Sequence, residues 1–261
     1  MPERMSNLPP YNGGKSGNGT YQNIINHVPP HGVYVAPFAG HDGVFQKIRR
    51  ADISILNDKD PRVIERWKKA SVLKDCIVCE NFVQGQLFEQ PGKPVVILRN
   101  QDYAGLIAKF KDTADAFIYC DPPYKIETRR SNKKLYLFHW PTDKEHIDFL
   151  SLAITCTSNV MISAYESELY NDMLKGWNTH RFMSMTRQGL RQEIIYYNYP
   201  KPTILHDFQY LGKNYRERER IKRKVTRFEN KMNKLPELER AAILSNIIAK
   251  NKTTITRLIE L

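Results

Sequence analysis

Short apolar runs alternate with polar stretches of helical period over the first two hundred residues. The runs at 32–38, 52–56, 76–80, 95–98, 117–120 and 160–163 are rich in Val, Ile and aromatic residues and read as buried strands. Helical spacing lies between them at 44–48, 61–69, 106–110, 143–153 and 168–175, and a last strand at 193–199 is expected to close the sheet. Strand then helix, repeated, predicts an α/β fold with a doubly wound Rossmann-like sheet. The turn Ala39-Gly40-His41-Asp42-Gly43 after the first strand is where such folds seat a ligand against small residues. Ahead of it, residues 11–19 are glycine-rich and polar, a loop whose backbone can approach a ligand closely. Lys15 follows two glycines there, but the rest of a phosphate-loop pattern and its preceding strand are missing, which excludes that reading.

The pattern changes near Pro200-Lys201-Pro202, dividing the chain into a main domain, residues 1–200, and a basic helical appendage, residues 201–261. The appendage holds 15 Lys and Arg against 7 Asp and Glu, with helices expected at 216–227 and 235–249. Two readings of it stay open: contact with phosphates, or a solvated helical hairpin packed on the domain. The whole chain carries a formal charge of +12, which favours a polyanionic partner, nucleic acid above all. Four cysteines, and a start at Met1-Pro2-Glu3-Arg4 without an apolar core, point to a reduced cytoplasmic setting. Cys76 and Cys79 have no second pair at ligand spacing, so no metal is expected. No apolar run approaches the ~20 residues of a membrane span.

The chemistry concentrates where the strand at 117–120 ends in Asp121-Pro122-Pro123-Tyr124. Two prolines fix φ and hold the residue before each of them extended, so Asp121 and the carbonyl after it become a rigid pair of hydrogen-bond acceptors. Such a pair can grip both N–H bonds of an exocyclic amine on a nucleobase, whose lone pair is otherwise delocalised into the ring. Tyr124 would stack on that base, and catalysis would come from positioning and hydrogen bonding. Asp58 and Asp102, like Asp121, follow apolar strands at their carboxyl ends, the ligand-binding edge of an open α/β sheet. Asp58, after the second strand, stands where these folds bond a ribose hydroxyl pair; Asp102 reads equally as a helix cap. Beyond the motif, Arg129, Arg130, Lys133 and Lys134 interleave with Tyr136, Phe138, His139 and Trp140, either a nucleic-acid clamp or an exposed loop.

The order of these pieces across residues 9–199 resembles the D12 class of DNA adenine-N6 methyltransferases: a glycine-Lys loop, the glycine turn, Asp121-Pro122-Pro123-Tyr124, Met161-Ile162-Ser163, and the closing run from Glu193 to Asn198. The resemblance implies a Rossmann-like methyltransferase sheet that takes a methyl group from S-adenosylmethionine to the N6 amine of a flipped adenine in DNA. It implies that Tyr11 and Lys15 touch the donor and that Phe38 and Gly40 line its methionine end. Asp58 would then hold the ribose, Asp102 the donor's adenine, and Asp121, Pro122, Pro123 and Tyr124 the amine. Two departures stand out. Asp42 occupies the place of the family's second turn glycine, with Gly43 one position late, which bears on donor affinity. The interval from Gly43 to Asp121 carries ordinary strands and helices in place of a large recognition insert, so recognition is expected from residues 125–140 and the tail. An RNA base amine, a cytosine-N4 target, or a catalytically silent nucleic-acid-binding module are the alternatives; Asp121, where the cytosine enzymes more often carry Ser, favours adenine.

Overall fold

The structure, a computed structural model, describes residues 14–80, 92–128, 138–186 and 189–259. Six parallel strands, β1 (Val33–Ala36), β2 (Ile53–Asn57), β3 (Ile77–Cys79), β4 (Val95–Arg99), β5 (Ala116–Cys120) and β6 (Asn159–Ala164), form most of one sheet. A hairpin of β7 (Asn178–Thr186) and β8 (Gly189–Tyr197) completes it in the order β3-β4-β2-β1-β5-β6-β8-β7, with β8 antiparallel to both neighbours. From central β1 the chain builds outward through β2 and β4, then returns to the other side of β1 with β5. The crevice between β1 and β5 is therefore the topological switch point of this Rossmann-like sheet.

Side chains alternate across the strands, so one sheet buries two cores. Tyr34, Phe117, Tyr119, Met161 and Ile195 face α1 (Thr20–Ile25) and α2 (Pro61–Lys68), which contribute Ile24, Ile25, Val63, Ile64 and Trp67. Val35, Ile118, Cys120 and Ile162 face α3 (Tyr103–Phe110), α4 (Asp143–Ile154) and α5 (Glu168–Met173) through Leu106, Ile107, Phe149, Leu150 and Tyr170. Burying one such Val, Ile or Phe side chain is worth about 1.5–3 kcal/mol, so this two-sided burial dominates what holds the sheet together.

The helices begin where their sequences cap them. Asp60 accepts from the Arg62 N–H ahead of Pro61 in the first turn of α2, and Thr142 with Glu145 forms a capping box on α4. The expected elements at 61–69, 106–110, 143–153 and 168–175 correspond to α2 to α5.

Other expectations are corrected. Residues 44–48 form successive turns rather than a helix. The Asp42 carboxylate accepts from the Val44 and Phe45 N–H groups as a helix cap does, but the run stops because the Arg50 guanidinium takes the Phe45 and Ile48 carbonyls and Asp207 takes the Arg49 N–H. The strand at 76–80 is an edge strand with Val78 41 % exposed, not a buried one, because β3 pairs only with β4. The strand at 193–199 does not close the sheet: β7, whose polar composition hid it, lies outside β8. Within the tail, α6 (Tyr215–Asn233), α7 (Glu237–Lys250) and α8 (Lys252–Ile259) follow one another, and α6 and α7 bury none of their residues. The packed hairpin expected as one reading of the tail is thus absent from α6 and α7. No helix among the described residues is long and apolar enough to cross a membrane.

Candidate active site

Strand register assembles the site. The β1–β5 ladder pairs Val35 with Ile118 and the β1–β2 ladder pairs Ala36 with Leu56. Carried beyond the strand ends, these registers bring Phe38, Asp58 and Asp121 to one level at the carboxyl edge. A cleft of about 460 Å³ opens there, lined by Phe38, Gly40, Asp42, Asp58, Asp102, Tyr103, Asp121 to Tyr124, Trp140 and Asp148, among others. So Phe38, Gly40, Asp58, Asp102 and Asp121 share one cavity. Tyr11 and the basic residues Arg129, Arg130, Lys133 and Lys134 lie outside the described residues.

The glycine turn is pinned from three sides. Gly40 sits at φ +39° and donates its N–H to Asp58 Oδ2 at 2.9 Å, while its carbonyl accepts from Trp67 Nε1 at 3.1 Å. Asp58 Oδ1 also accepts from the Asp60 N–H at 2.9 Å, and the Lys59 N–H is a third backbone donor to this carboxylate. Burial pushes the Asp58 carboxyl up, against the pull of these N–H groups. Asp42 turns away from the role of a spacer glycine: it takes the Tyr34 hydroxyl at 2.9 Å as well as two backbone N–H groups, and burial raises its carboxyl to about 6. Gly43 has a separate duty. A Cβ there would stand 2.4 Å from the Ser16 nitrogen and 2.6 Å from the Lys15 carbonyl carbon, so only glycine lets the N-terminal loop cross the turn.

That crossing delivers Lys15 to the motif. Its side chain, nearly fully buried, places Nζ 3.0 Å from Asp121 Oδ1 and 3.6 Å from Glu193 Oε2, and it donates to the Tyr124 hydroxyl. Burial would lower the Lys15 ammonium's pKa, but Asp121 and Glu193 outweigh it and hold the group above its ordinary value. The Asp121 carboxyl is pushed up by burial, with Lys15 opposing. Tyr124 is edge-on to Tyr165 with ring centroids 4.5 Å apart.

Here the motif and the sheet meet. Residues 95–188 match the D12 class N6 adenine-specific DNA methyltransferase family. The family match takes in β4, β5 with the Asp-Pro-Pro-Tyr motif, and β6, and it supports methyl transfer as the activity. Among solved structures, the chain is similar to magnesium protoporphyrin IX methyltransferase from Synechocystis PCC 6803 with bound S-adenosylmethionine, at 12 % identity. That likeness covers 69 % of this chain and 75 % of the other, with a TM-score of 0.41. It is also similar to the S-adenosylmethionine-dependent methyltransferase from Agrobacterium tumefaciens, at 13 % identity over 68 % of this chain and 58 % of the other, TM-score 0.39. Among curated proteins none matches significantly.

Within the D12 motif's surroundings, several residues have duties other than those read from the sequence. Lys15 points at Asp121, Tyr124 and Glu193, and it is absent from the cleft lining that contains Gly14. Asp102 caps α3 through the Ala104 N–H at 3.0 Å, as one reading of it expected, pairs with Lys59 at 3.1 Å and borders the cleft. Trp140 is no free stacking ring: it packs at 5.5–5.6 Å against Phe38, Tyr103 and Phe149 and makes the cleft's aromatic wall. Lys125, first of the basic stretch, is buried against Glu127 and Asp143. Two participants were missed. Glu193 is a charged residue on the same strand face as Ile195 and Tyr197, an interruption of period two that the sequence displays. Tyr103, next to Asp102, carries no signal of its own.

Proposed function

We propose that this protein transfers a methyl group from S-adenosylmethionine to the N6 amine of adenine in DNA. The observation that carries the reading is Asp121 at the switch-point edge, sharing one cleft with Phe38, Gly40, Asp58 and Asp102. The cleft suits such a donor in charge: a chain of net +12 lines it with Asp42, Asp58, Asp60, Asp102, Asp121, Glu145 and Asp148. Carboxylates favour a sulfonium and an ammonium group, and they disfavour phosphate inside the cleft. Asp58 keeps acceptor capacity toward a ribose hydroxyl, and the Phe38–Tyr103–Trp140 wall supplies apolar surface. The donor, when bound, supplies a methyl carbon activated by positively charged sulfur.

The chain's residues do the rest by placement. The Asp121 carboxylate and the carbonyl of Pro122 accept from the amine's two N–H bonds, and Tyr124 stacks on the base. The amine attacks the methyl carbon, the C–S bond breaks with its electron pair going to sulfur, and Asp121 accepts the proton the nitrogen sheds. Asp121, made more basic by burial, is suited to that last step. The basic tail, in which α6 buries none of its residues, contributes phosphate contacts outside the cleft. The test is incubation with isotopically labelled donor and a panel of DNA and RNA, followed by nucleoside analysis. Label in N6-methyladenine from DNA is expected. Label only in RNA, or in N4-methylcytosine, overturns the substrate, and DNA binding with no transfer overturns the activity.

A further inference from the structure

Glu193 is buried to 4 % exposure, it lies on β8 across the sheet from the motif, and its Oε2 has no hydrogen-bond partner among the described residues. A buried carboxylate oxygen without a donor is costly unless a charge answers it. Among the described residues, the cation that pairs with it is the Lys15 ammonium, 3.6 Å away, which stands closer, at 3.0 Å, to Asp121. One ammonium is thus set between two carboxylates, off-centre toward the one that must receive the substrate amine. The other groups facing this cluster are Asp42, Tyr119, Tyr124 and Tyr165, with the Arg191 guanidinium 3.8 Å over the Tyr165 ring.

An acceptor already bonded to an ammonium is a poor acceptor for a neutral amine. During transfer that amine gains positive charge, which an uncompensated lysine beside it would oppose. We infer that Glu193 is a positioning residue that draws Lys15 from Asp121 when the amine enters, so that Asp121 meets the substrate as an unshared carboxylate. With Glu193 present the three side chains carry one net negative charge toward the developing cation; without it they are neutral. The 0.6 Å by which Lys15 must lengthen one contact and shorten the other lies within a side-chain adjustment. This rests on the proposed methyl transfer, but its first consequence is electrostatic and precedes any turnover.

Two measurements on the full chain test it, both on Glu193→Gln, which keeps shape and removes charge. In the first, the Asp121 side-chain carboxyl carbon is followed by 13C NMR against pH without donor or DNA. Losing Glu193 removes the carboxylate that competes with Asp121 for Lys15, so the Asp121 midpoint is expected to fall by at least one pH unit. An unmoved midpoint overturns the inference whether or not the protein is active. In the second, methyl transfer is assayed against pH. The maximal rate is expected to fall roughly 10- to 100-fold with donor affinity changed less than threefold, and the acid limb is expected to move to lower pH. A rate loss with an unmoved acid limb, as from mere destabilisation, counts against it. Lys15→Gln with Glu193→Gln should be no slower than Lys15→Gln alone, and additive losses refute action through the lysine. If the wild type transfers no methyl group, the functional proposal fails while the NMR result still decides the coupling.

Discussion

Acidification should unfold this protein through three histidines that the site does not use. His27, His31 and His206 are held neutral, lowered by burial from the ordinary 6.5 to about 4, 3 and 4. Each donates one ring N–H to a backbone carbonyl, of Asn23, Pro29 and Arg49 respectively, and His31 and His206 stack 3.8 Å apart, where two charged rings would repel. A histidine whose folded pKa is depressed binds its proton more readily unfolded, so stability is present above pH 6.5 and is lost as pH falls toward the folded value. Between pH 7 and pH 5 each ring costs about 1.8 kcal/mol, using 1.36 kcal/mol per pKa unit. Asp42 works the other way, since its carboxyl, raised to about 6, takes up a proton in the folded state and returns about 1.3 kcal/mol. Asp58 and Asp121, also pushed up by burial, add smaller offsets of the same sign. His41 and His180, lowered by burial as well, add losses of the opposite sign, so the balance stays near a loss of about 4 kcal/mol, a large part of a typical 5–15 kcal/mol. Urea denaturation at pH 7, 6 and 5 reads it as a steady fall in midpoint, and His31→Phe should flatten the slope. Equal midpoints at pH 7 and pH 5, or NMR resonances of His27, His31 and His206 titrating near 6.5 in the folded protein, would refute the reasoning.

Three further outcomes are expected. Gly43→Ala drives a methyl into the Lys15–Ser16 backbone and should lower stability by about 1–3 kcal/mol while loosening Lys15 from Asp121, checked by thermal unfolding and transfer rate together. Asp121→Ala should reduce transfer at least about 10³-fold and leave donor binding within a few-fold by calorimetry; turnover at the wild-type rate would remove Asp121 from the mechanism. Asp58→Ala removes the acceptor of the Gly40 N–H and the proposed ribose contact, so donor affinity should fall about 10- to 100-fold, and an unchanged Kd would displace the donor from this cleft.

The α/β alternation, the positions of β1, β2, β4, β5 and β6, and the acid-proline-proline-aromatic junction were all legible along the chain, because each depends on neighbours within a few residues. Short apolar runs become strands when both faces are covered, and two prolines stiffen a strand end in any setting. The placement of Asp58 and Asp121 on one edge followed from the parallel alternation itself. What Lys15 touches did not follow. Its partners lie more than a hundred residues downstream, and Tyr124 is 109 positions away. Gly43 reads as a displaced cofactor glycine until the Ser16 backbone is seen against it. The turn at 44–48 had helical spacing and a capping acid, yet Arg50 and the distant Asp207 take the carbonyls and the N–H that a continuing helix would need. Glu193 enters the site only because β8 folds back antiparallel beside β6, a pairing set by the β7–β8 hairpin and not by any local preference. Local sequence thus determined which pieces exist and which one is proposed to carry the chemistry. Long-range packing, which alone sets distances between charges, decided that the carboxylate at its centre is held by a lysine with a second acid behind it.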